Sequence, residues 1–432
     1  MVSYGSELPD GYRPRIVDAR IEHFLRTFGG VEIKGPKWCG KSWSALAFGE
    51  SVVYVDLPSV KGLIESDPAL ALEGEAPHVV DEWQEAPAIW DCARHAIDVS
   101  GGRKGLYILT GSSTPRKEAV SHSGAGRIGR VDMSTMTLWE MGKASGGVSL
   151  RRLFEGDFKS SLQVEKGLPF YAEAVCSGGW PGLACQDGVD SVETVRQYLD
   201  ALFEVSVPKK GGVSGTARRV AQSLARNVAS AAKLKTIADD ASEGESGAMA
   251  VSTVSFYLEI LKDLYVIDEL PGWEAPVRSK SRLRTKPKRY FADPSLAASL
   301  LGTSSQRLLG DGQTFGFLFE SLCVHDLLVY ARALPGAGRF PLRYYSDADG
   351  LEVDVIIELD DGRWAGIEIK LGENGVPSGV ANLNRLRKKV ASNQVARNPS
   401  PEFMAVLTAN SPFARYDKQN DVYVFPLNAL EP

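Results

Sequence analysis

Apolar residues in the first third of the chain fall into two alternating patterns. Short continuous apolar runs predict buried strands, and between them apolar residues recur at the three-to-four-residue spacing of a helix. Strands that alternate with helices favour a parallel sheet with helices on both faces, so this part is predicted to be α/β. The strands are expected within residues 31–34, 51–57, 79–82 and 105–113, and the helices within residues 16–28, after residue 42, and within residues 88–99.

A glycine-bounded loop follows the first predicted strand. Residues 35–42 read Gly-Pro-Lys-Trp-Cys-Gly-Lys-Ser, and a helical pattern begins at once. The glycines let the backbone wrap around a triphosphate, whose charge the loop amides and the helix start favour. The lysine can neutralise the β- and γ-phosphates, and the serine hydroxyl can bind Mg²⁺. We therefore predict an ATP site, with a chance glycine turn as the alternative. The residues expected to contact ATP are Gly35, Pro36, Lys37, Trp38, Cys39, Gly40, Lys41, Ser42, Trp43 and Thr110.

An acidic pair, Asp81-Glu82, ends the third predicted strand. Downstream of a phosphate loop, Asp81 can support Mg²⁺ together with Ser42, and Glu82 can activate the attacking water as a general base. Thr110 and Ser112 end the next strand, and the carboxyl ends of parallel strands meet at one edge of a sheet. Either hydroxyl can therefore sense the γ-phosphate, with ordinary turn chemistry as the alternative.

Arginines near the predicted site are candidates for stabilising charge on the transferred phosphate. Arg127 is predicted to be a catalytic arginine finger, acting in its own subunit or across a subunit boundary, and Arg130 is the second candidate. A surface arginine before a strand is the alternative. Arg15, upstream of the loop, can also approach the nucleotide, but a solvated side chain is the stronger expectation.

The middle of the chain predicts helices joined by turns. The turn-rich residues 176–182 are expected to form a hinge, and residues 208–215 a linker. Two helical patterns within residues 234–258, followed by a pair of strands, favour a winged-helix module. The densest positive run, residues 278–289, lies between those strands and can follow DNA phosphates. A solvated wing is the alternative.

Two strand patterns near the C-terminus predict a hairpin around Asp360-Asp361-Gly362. A three-residue loop with Gly362 in the left-handed conformation pairs Val355 with Ile367, which collects the aliphatic side chains on one face. A slip of one residue would scatter them. The same register places Asp354 across from Glu368.

Asp354, Glu368 and Lys370 share one side of this predicted hairpin, an arrangement that a metal-dependent nuclease requires. Two carboxylates can hold Mg²⁺ against a scissile phosphate, while the lysine stabilises charge or orients water. Glu320, on a preceding helix, can add a further ligand. The alternative is a module that does not cut, in which the acid and the lysine pair as a salt bridge.

Length and composition restrict the remaining possibilities. A chain of 432 residues predicts two to four domains, and 44% hydrophobic with 24% charged residues is typical of a soluble protein. No apolar run approaches the roughly 20 residues of a membrane span, and five scattered cysteines suit a reduced compartment, so a cytoplasmic location and no membrane partner are expected. A net charge of -5 restricts nucleic-acid binding to a local patch.

Taken in order, these motifs resemble the P-loop ATPases of AAA+ type found in bacteria and archaea, which carry a C-terminal domain similar to PD-(D/E)xK nucleases. The resemblance rests on the phosphate loop and on Asp81-Glu82, with Ser177-Gly178-Gly179-Trp180-Pro181 among the supporting segments. Glu368-Ile369-Lys370 matches the second half of the nuclease pattern, while Val353-Asp354 replaces Pro-Asp. The resemblance implies an ATPase domain at 1–150, a helical hinge at 151–215, a winged helix at 216–305 and a nuclease-like domain at 306–432.

The expected function is ATP hydrolysis with Mg²⁺, coupled to a DNA-associated, nuclease-like C-terminal domain. The alternative is an ATP-driven switch whose nuclease-like domain does not cut and which recruits another protein. A small-molecule kinase is a third class, disfavoured because the adjacent acidic pair suits activation of water. ATP is the expected ligand, and DNA, a protein partner and a second copy of the chain remain open as partners.

Overall fold

The computed structural model describes the chain except for residues 1, 7, 116–121, 163–165, 187, 243–247, 276–278, 280–281 and 283–284. The described chain divides into two compact units. The first contains residues 1–136 together with the short segments 180–182 and 262–266, and the second contains the rest. Each unit is built around its own β-sheet.

The first unit has a five-stranded sheet in the order β2-β3-β4-β1-β5, and every neighbouring pair is parallel. The predicted α/β fold with a parallel sheet is therefore confirmed for this part of the chain. Because β4 lies between β1 and β3, the ends of these three strands meet at one edge. The strands are β1 (Gly30–Lys34), β2 (Ser51–Tyr54), β3 (His78–Asp81), β4 (Tyr107–Gly111) and β5 (Ile128–Asp132).

Helices cover both faces of this sheet. Val79 and Ile108 pack in one apolar cluster with Ile21 of the first helix, whereas their neighbours Val80 and Leu109 pack in another with Ile89 of the fourth. Alternate residues of a strand point to opposite faces, so the two clusters lie on the two sides of the sheet. The helices are α1 (Asp18–Thr27), α2 (Lys41–Leu46), α3 (Pro58–Ser66) and α4 (Ala88–Val99), with 3₁₀ turns at Pro68–Leu72 and Trp83–Glu85.

A mainly helical region follows in the chain. Its antiparallel pair of strands, β8 (Ile267–Leu270) and β9 (Lys288–Phe291), and the two helices before it occur where the sequence predicts them. These elements are compatible with a winged helix, which stays a prediction. The helices are α5 (Leu150–Phe154), α6 (Gly167–Ser177), α7 (Pro181–Ala184), α8 (Ser191–Ala201), α9 (Val207–Lys209), α10 (Ser214–Arg226), α11 (Leu234–Ala241), α12 (Val251–Asp263), α13 (Pro294–Leu300) and α14 (Ser305–Leu309), with a π-helical turn at Leu202–Ser206.

The second unit contains a mixed seven-stranded sheet in the order β10-β11-β12-β13-β15-β14-β7. A separate parallel pair joins β6 (Val148–Ser149) to β16 (Leu430–Glu431). The sheet strands are β7 (Ser161–Leu162), β10 (Ala337–Ser346), β11 (Glu352–Leu359), β12 (Trp364–Lys370), β13 (Phe403–Thr408), β14 (Phe413–Asp417) and β15 (Val422–Pro426), and its helices are α15 (Gly312–Ala333) and α16 (Val376–Ala391).

The predicted register of the β11–β12 hairpin is confirmed. Val355 pairs with Ile367 in an antiparallel ladder, and Gly362 adopts the expected left-handed conformation with φ of 86°. The backbone N–H of Ile369 donates a 2.9 Å hydrogen bond to Asp354 Oδ2, which fixes that carboxylate beside the end of β12. The hairpin thus places Asp354 next to the Glu-Ile-Lys segment.

Among the described residues, one helix, α15, is long and apolar enough to cross a membrane by length and composition. Of its most apolar window, 67% is buried inside the protein. Its buried residues include charged side chains, Asp326 among them, whose Oδ2 accepts a 3.1 Å hydrogen bond from the Leu138 N–H. These features are typical of the core helix of a soluble protein.

Candidate functional site

The loop between β1 and α2, predicted to bind phosphate, contains two residues in the left-handed region. Gly40 lies in the left-handed region with φ of 103°, and Trp38 has φ of 66°. A Cβ atom added to Gly35 would lie 2.1 Å from the Met133 carbonyl oxygen, so only glycine fits there. We predicted that the glycines let the backbone wrap around a triphosphate. At Gly35 the close neighbour in the structure is another part of the chain.

The side chains of the loop divide into buried and exposed groups. Lys41 is buried, and its ammonium donates a 2.8 Å hydrogen bond to the Pro36 carbonyl oxygen at the start of the loop. Cys39 is also buried, with its thiol 3.8 Å from the Met133 carbonyl oxygen. By contrast, the predicted contacts Lys37, Trp38 and Trp43 are exposed. These three can therefore meet a ligand only at the outer side of the loop.

Asp81, at the end of β3, lies next to both the phosphate loop and β4. Its Oδ1 accepts a 2.6 Å hydrogen bond from the Thr110 hydroxyl, and Ser42 of the loop also hydrogen-bonds to it. Burial raises the pKa of Asp81, while these two hydrogen bonds act to lower it. The structure therefore brings together three residues that the sequence reasoning selected from separate segments.

Glu82 follows Asp81 in a left-handed conformation with φ of 56°, which is uncommon for a residue with a Cβ atom. Its N–H donates a 3.0 Å hydrogen bond to Thr110 Oγ1. Its carboxylate accepts a 2.8 Å hydrogen bond from the Ser112 hydroxyl and a second, shorter one from the Gln84 amide. Both ends of the residue are thus fixed by neighbours. Gln84 is a contact that the sequence reasoning did not assign.

The residues around Asp81 fit a magnesium ion bound with a nucleotide. Mg²⁺ prefers oxygen ligands, and the Ser42 hydroxyl and the Asp81 carboxylate are two such groups held side by side. Lys41 brings a positive charge to the same loop. The binding of Mg²⁺ by Ser42 and Asp81 nevertheless stays a prediction.

Arg127 is not brought to this site within its own chain. It precedes β5 at the end where Ile128 pairs with Gly30, whereas the phosphate loop begins after Lys34 at the other end. Five residues of strand separate the two ends by roughly 15 Å. Its guanidinium Nε forms a 2.9 Å ion pair with Asp98 Oδ1. Arg127 therefore stays a predicted arginine finger only if it acts on the site of a neighbouring subunit.

Trp38 of the phosphate loop stacks on Trp180, with ring centroids 6.2 Å apart and planes inclined by 19°. A Cβ atom on Gly182 would lie 2.5 Å from the Trp38 ring, so the segment packs closely against the loop. The sequence reasoning took this turn-rich segment for a hinge. Its contact with the loop joins residues far apart in the chain. Neither the sequence around Trp38 nor that around Trp180 predicts this contact.

In the second unit, the predicted acidic pair of β11 and β12 surrounds a lysine. The Lys370 ammonium forms a short ion pair with Glu368 Oε2 and lies 3.6 Å from Asp354 Oδ2. The other Glu368 oxygen accepts a 3.2 Å hydrogen bond from the Asn382 amide of α16. Asp354, Glu368 and Lys370 are therefore brought together, as the hairpin register predicts.

A second lysine, Lys288 of β9, enters the same cluster and was not foreseen. Its ammonium lies 2.6 Å from Glu352 Oε1, 3.1 Å from Glu320 Oε1 and 3.6 Å from Asp354 Oδ1. The residue is only 2% exposed. The Tyr290 hydroxyl donates a 2.7 Å hydrogen bond to the same Glu320 oxygen. We call these groups the acid–lysine cluster: Lys288, Tyr290, Glu320, Glu352, Asp354, Glu368, Lys370 and Asn382.

Burial and the neighbouring charges shift the pKa values of this cluster. Burial, and then the neighbouring Asp354 carboxylate, raises the pKa of Glu320 to about 7 and that of Glu368 to about 8. Burial alone would lower the pKa of Lys370, but Asp354 and Glu368 raise it overall. The pKa of Lys288 is likewise raised overall by Glu320, Asp354 and Glu352 against the effect of burial. Both lysines therefore keep their charge at neutral pH.

Ammonium groups lie beside the carboxylates that were predicted to hold Mg²⁺. Lys370 lies between Asp354 and Glu368, and Lys288 contacts Asp354 from the other side, so ammonium groups occupy the positions around these carboxylates. Within the described residues, no group of three or more His, Cys, Asp or Glu side chains is placed to hold a metal ion. The binding of Mg²⁺ by Asp354 and Glu368 stays a prediction.

The raised pKa of Glu368 predicts a dependence of stability on pH. A carboxyl with a folded-state pKa near 8 and an ordinary value of 4.5 stabilises the fold fully below pH 4.5 and loses that contribution as pH rises through 8. We expect the Glu368→Gln variant, which mimics the protonated acid, to lose less free energy of unfolding between pH 5 and pH 9 than the wild type. Urea unfolding at both pH values measures this difference.

The exposed Glu402 serves as the control for that variant. Its change to glutamine is expected to leave the pH dependence of the free energy of unfolding as in the wild type. Equal slopes for Glu368→Gln and the wild type would contradict a raised pKa at Glu368.

The positive run predicted to follow DNA is partly engaged inside the protein. Arg282 forms an ion pair with Glu358 at 2.6 Å, and Arg289 forms one with Glu269 at 3.1 Å. Together with Lys288 these side chains are buried or nearly so, and the alternative of a solvated wing is wrong for them. Arg278, Lys280 and Arg284 of the same run lie outside the described residues.

Comparison with protein families divides the chain into three matched regions. Residues 29–142 match the AAA domain family. This region contains the phosphate loop, the acidic pair and the five-stranded parallel sheet. This region is therefore similar to AAA domains. Residues 169–307 match a domain of unknown function, DUF8612, and residues 315–430 match another, DUF4143, so neither match identifies a winged helix or a nuclease.

Several solved structures are similar to parts of this chain. The Walker-type ATPase PABY2304 of Pyrococcus abyssi is 15% identical over 65% of this chain and 93% of its own, with a TM-score of 0.41. The RuvB Holliday junction branch migration motor of Thermotoga maritima is 17% identical over 59% and 89%, with a TM-score of 0.28. AMPPCP-bound DnaA from Aquifex aeolicus is 15% identical over 58% and 88%, with a TM-score of 0.27. Comparison with curated proteins gives no match.

Proposed function

We propose that this protein binds ATP with Mg²⁺ at the phosphate loop of its AAA domain and hydrolyses it. The observation that carries the proposal is the meeting of Ser42, Asp81 and Thr110 beside Glu82, at the edge where β1, β3 and β4 end. Phosphoryl transfer to water requires groups of this kind: hydroxyls, a buried carboxylate, and a second carboxylate that can activate the water.

Each residue of the site has a role that follows from its chemistry. The loop amides and Lys41 would bind the phosphates, and Thr110 would respond to the γ-phosphate through its hydrogen bond to Asp81. Ser42 and Asp81 would hold Mg²⁺, which neutralises phosphate charge when bound. Glu82 would accept the proton of the attacking water. Transfer to water is favoured over transfer to a small molecule because this carboxylate is adjacent to the metal-binding acid.

For the C-terminal domain we propose a role in binding, switched by the nucleotide state of the AAA domain. The support comes from the acid–lysine cluster, in which the carboxyl groups of Asp354 and Glu368 contact the ammonium groups of Lys370 and Lys288. Acids that already contact ammonium groups favour a binding role over one in which they hold a metal against a phosphate ester. A DNA-cutting enzyme remains the second candidate, favoured by the presence of the two acids and the lysine on adjacent strands.

ATP turnover by the purified protein tests the first part of the proposal. We expect release of free phosphate that requires Mg²⁺ and is lost in the Lys41→Met variant. Accumulation of a phosphorylated product without free phosphate would identify a kinase instead. Turnover is then compared with and without DNA. Faster ATP hydrolysis with DNA would support DNA as a partner, and an unchanged rate would favour a protein partner.

Cleavage of labelled DNA with Mg²⁺ tests the second part. We expect no cleavage by the wild type and ATP-dependent capture of a partner that is unaffected by Asp354→Ala. Cleavage that is lost in Asp354→Ala but kept in Lys41→Met would overturn the proposed binding role and favour the nuclease. The proposal also includes the four-part domain division, a cytoplasmic location and assembly into a homo-oligomer. Light scattering with and without ATP measures the oligomeric state.

A further inference from the structure

Arg15 lies behind the phosphate loop and is 8% exposed, so the expectation of a solvated side chain is wrong. Its guanidinium Nη1 donates a 2.9 Å hydrogen bond to the carbonyl oxygen of Cys39, inside the loop. Nη2 donates a second 2.9 Å hydrogen bond to the carbonyl oxygen of Ser134, which follows β5. One planar side chain therefore joins the loop to a backbone segment 119 residues from Arg15 in the sequence.

The contact with the Cys39 carbonyl fixes the direction of a whole peptide group. In a planar trans peptide the C=O and the N–H of the same unit point in opposite directions. Because the Cys39 oxygen is held toward Arg15, the N–H of Gly40 points away from Arg15, to the opposite side of the loop. The left-handed φ of 103° at Gly40 belongs to this orientation, which a residue with a Cβ atom rarely adopts.

The space on the Arg15 side of this peptide is filled. A Cβ atom on Gly40 would lie 3.3 Å from Arg15 Nη1, 3.4 Å from Met133 Cε and 3.4 Å from Pro181 Cγ. No phosphate can therefore approach the peptide from that side. The inner side of the loop is the side on which a nucleotide phosphate would accept from the Gly40 amide.

Arg15 is itself held by a buried carboxylate. Its backbone N–H donates a 2.8 Å hydrogen bond to Asp18 Oδ2, which also accepts from the hydroxyls of Tyr4 and Tyr12, each at 2.9 Å. The Tyr12 hydroxyl lies 3.0 Å from Ser44 Oγ of α2. This chain of hydrogen bonds connects Arg15 to the helix that begins with Lys41, so the loop and its helix are fixed by the same N-terminal segment.

We propose that Arg15 is a positioning residue for nucleotide binding, which presets the Cys39–Gly40 peptide so that the Gly40 amide donates to a phosphate. The inference rests on the proposed binding of ATP at this loop. A lysine would replace the guanidinium fork, whose two nitrogens each donate to one carbonyl oxygen, by a compact ammonium on a flexible stem. Positioning of the peptide therefore depends on the shape of the guanidinium as well as on its charge.

The test compares Arg15→Ala and Arg15→Lys with a matched control, Arg26→Ala, whose side chain is exposed near the end of α1. Calorimetry with ATP and Mg²⁺ gives the Kd, and steady-state turnover gives KM and kcat. For Arg15→Ala we expect Kd and KM to rise by about tenfold or more, the scale of one lost hydrogen bond to a charged group, with kcat changed by no more than about twofold. Arg15→Lys should lie between Arg15→Ala and the wild type, and Arg26→Ala should match the wild type.

The division between KM and kcat separates positioning from damage to the fold. A partly unfolded variant has fewer active molecules, which lowers the apparent kcat and leaves KM as it was. That pattern, or a Kd for both Arg15 variants equal to that of the wild type, would overturn the role of Arg15 while leaving ATP binding intact. A wild-type protein that does not bind ATP would overturn the proposed function, and the role of Arg15 with it.

Discussion

The Glu82→Gln variant is expected to bind ATP with the affinity of the wild type and to hydrolyse it about 100- to 10,000-fold more slowly, the range attributed to a general base. Glutamine keeps the size of the side chain and its hydrogen bond from the Ser112 hydroxyl, which the wild-type carboxylate accepts at 2.8 Å. It cannot accept the proton of the attacking water. Binding should persist because the phosphate contacts come from the loop and from Lys41.

Single-turnover phosphate release and calorimetry with ATP and Mg²⁺ measure the two effects separately. Glu73→Gln is the matched control, since Glu73 is an exposed glutamate of the same unit, and it should keep the wild-type rate. A Glu82→Gln variant that hydrolyses ATP at the wild-type rate would falsify the assignment of Glu82 as the base. A variant that loses ATP binding instead would show that Glu82 supports the nucleotide rather than the reaction.

The conformation of Glu82 is consistent with a functional position. A left-handed backbone at a residue with a Cβ atom costs free energy, and the surrounding contacts must maintain it. Here the Thr110 hydroxyl accepts from the Glu82 N–H while it donates to Asp81, so one residue of β4 supports both acids. The acidic pair is thereby fixed to the strand that ends beside it.

The fold of the first unit could be predicted because its signals are local. The loop motif lies between a strand pattern and a helix pattern, and the acidic pair ends an apolar run, so motif and element support each other. The place of Arg15 could not be predicted in the same way. Its partners, Cys39 and Ser134, are backbone oxygens distant in the sequence, and a carbonyl oxygen has no signature in a side-chain pattern.

In the acid–lysine cluster, too, the local contacts could be predicted and the distant ones could not. The pairing of β11 with β12 follows from a short loop and an alternating pattern, which is enough to place Asp354 beside Glu368. Lys288 comes from another strand, 66 residues before Asp354 in the numbering, and its own neighbourhood is rich in positive charge. The sequence therefore predicted an outward side chain, either following DNA phosphates or solvated, whereas Lys288 is buried among carboxylates.

The Lys288→Met variant is expected to lose about 3–5 kcal/mol of the free energy of unfolding, the scale for removing one partner of a buried ion pair. Methionine has a similar length but no charge, so Glu320, Glu352 and Asp354 lose the ammonium that they share. Because Lys288 lowers the pKa of Glu320, its removal favours protonation of that acid. The loss of stability should therefore be larger at pH 8, where the acid is ionised, than at pH 5.

Urea unfolding at both pH values measures the loss, and hydrogen–deuterium exchange of β9 and β11 locates it. Lys286→Met is the matched control, because Lys286 is exposed two residues away and should leave stability unchanged. A second change, Glu320→Gln in the Lys288→Met background, should restore part of the lost stability, since it removes one of the uncompensated charges. If Lys288→Met instead unfolds like the wild type at pH 8, the ammonium makes no net contribution to stability, which would contradict its role as a buried ion-pair partner.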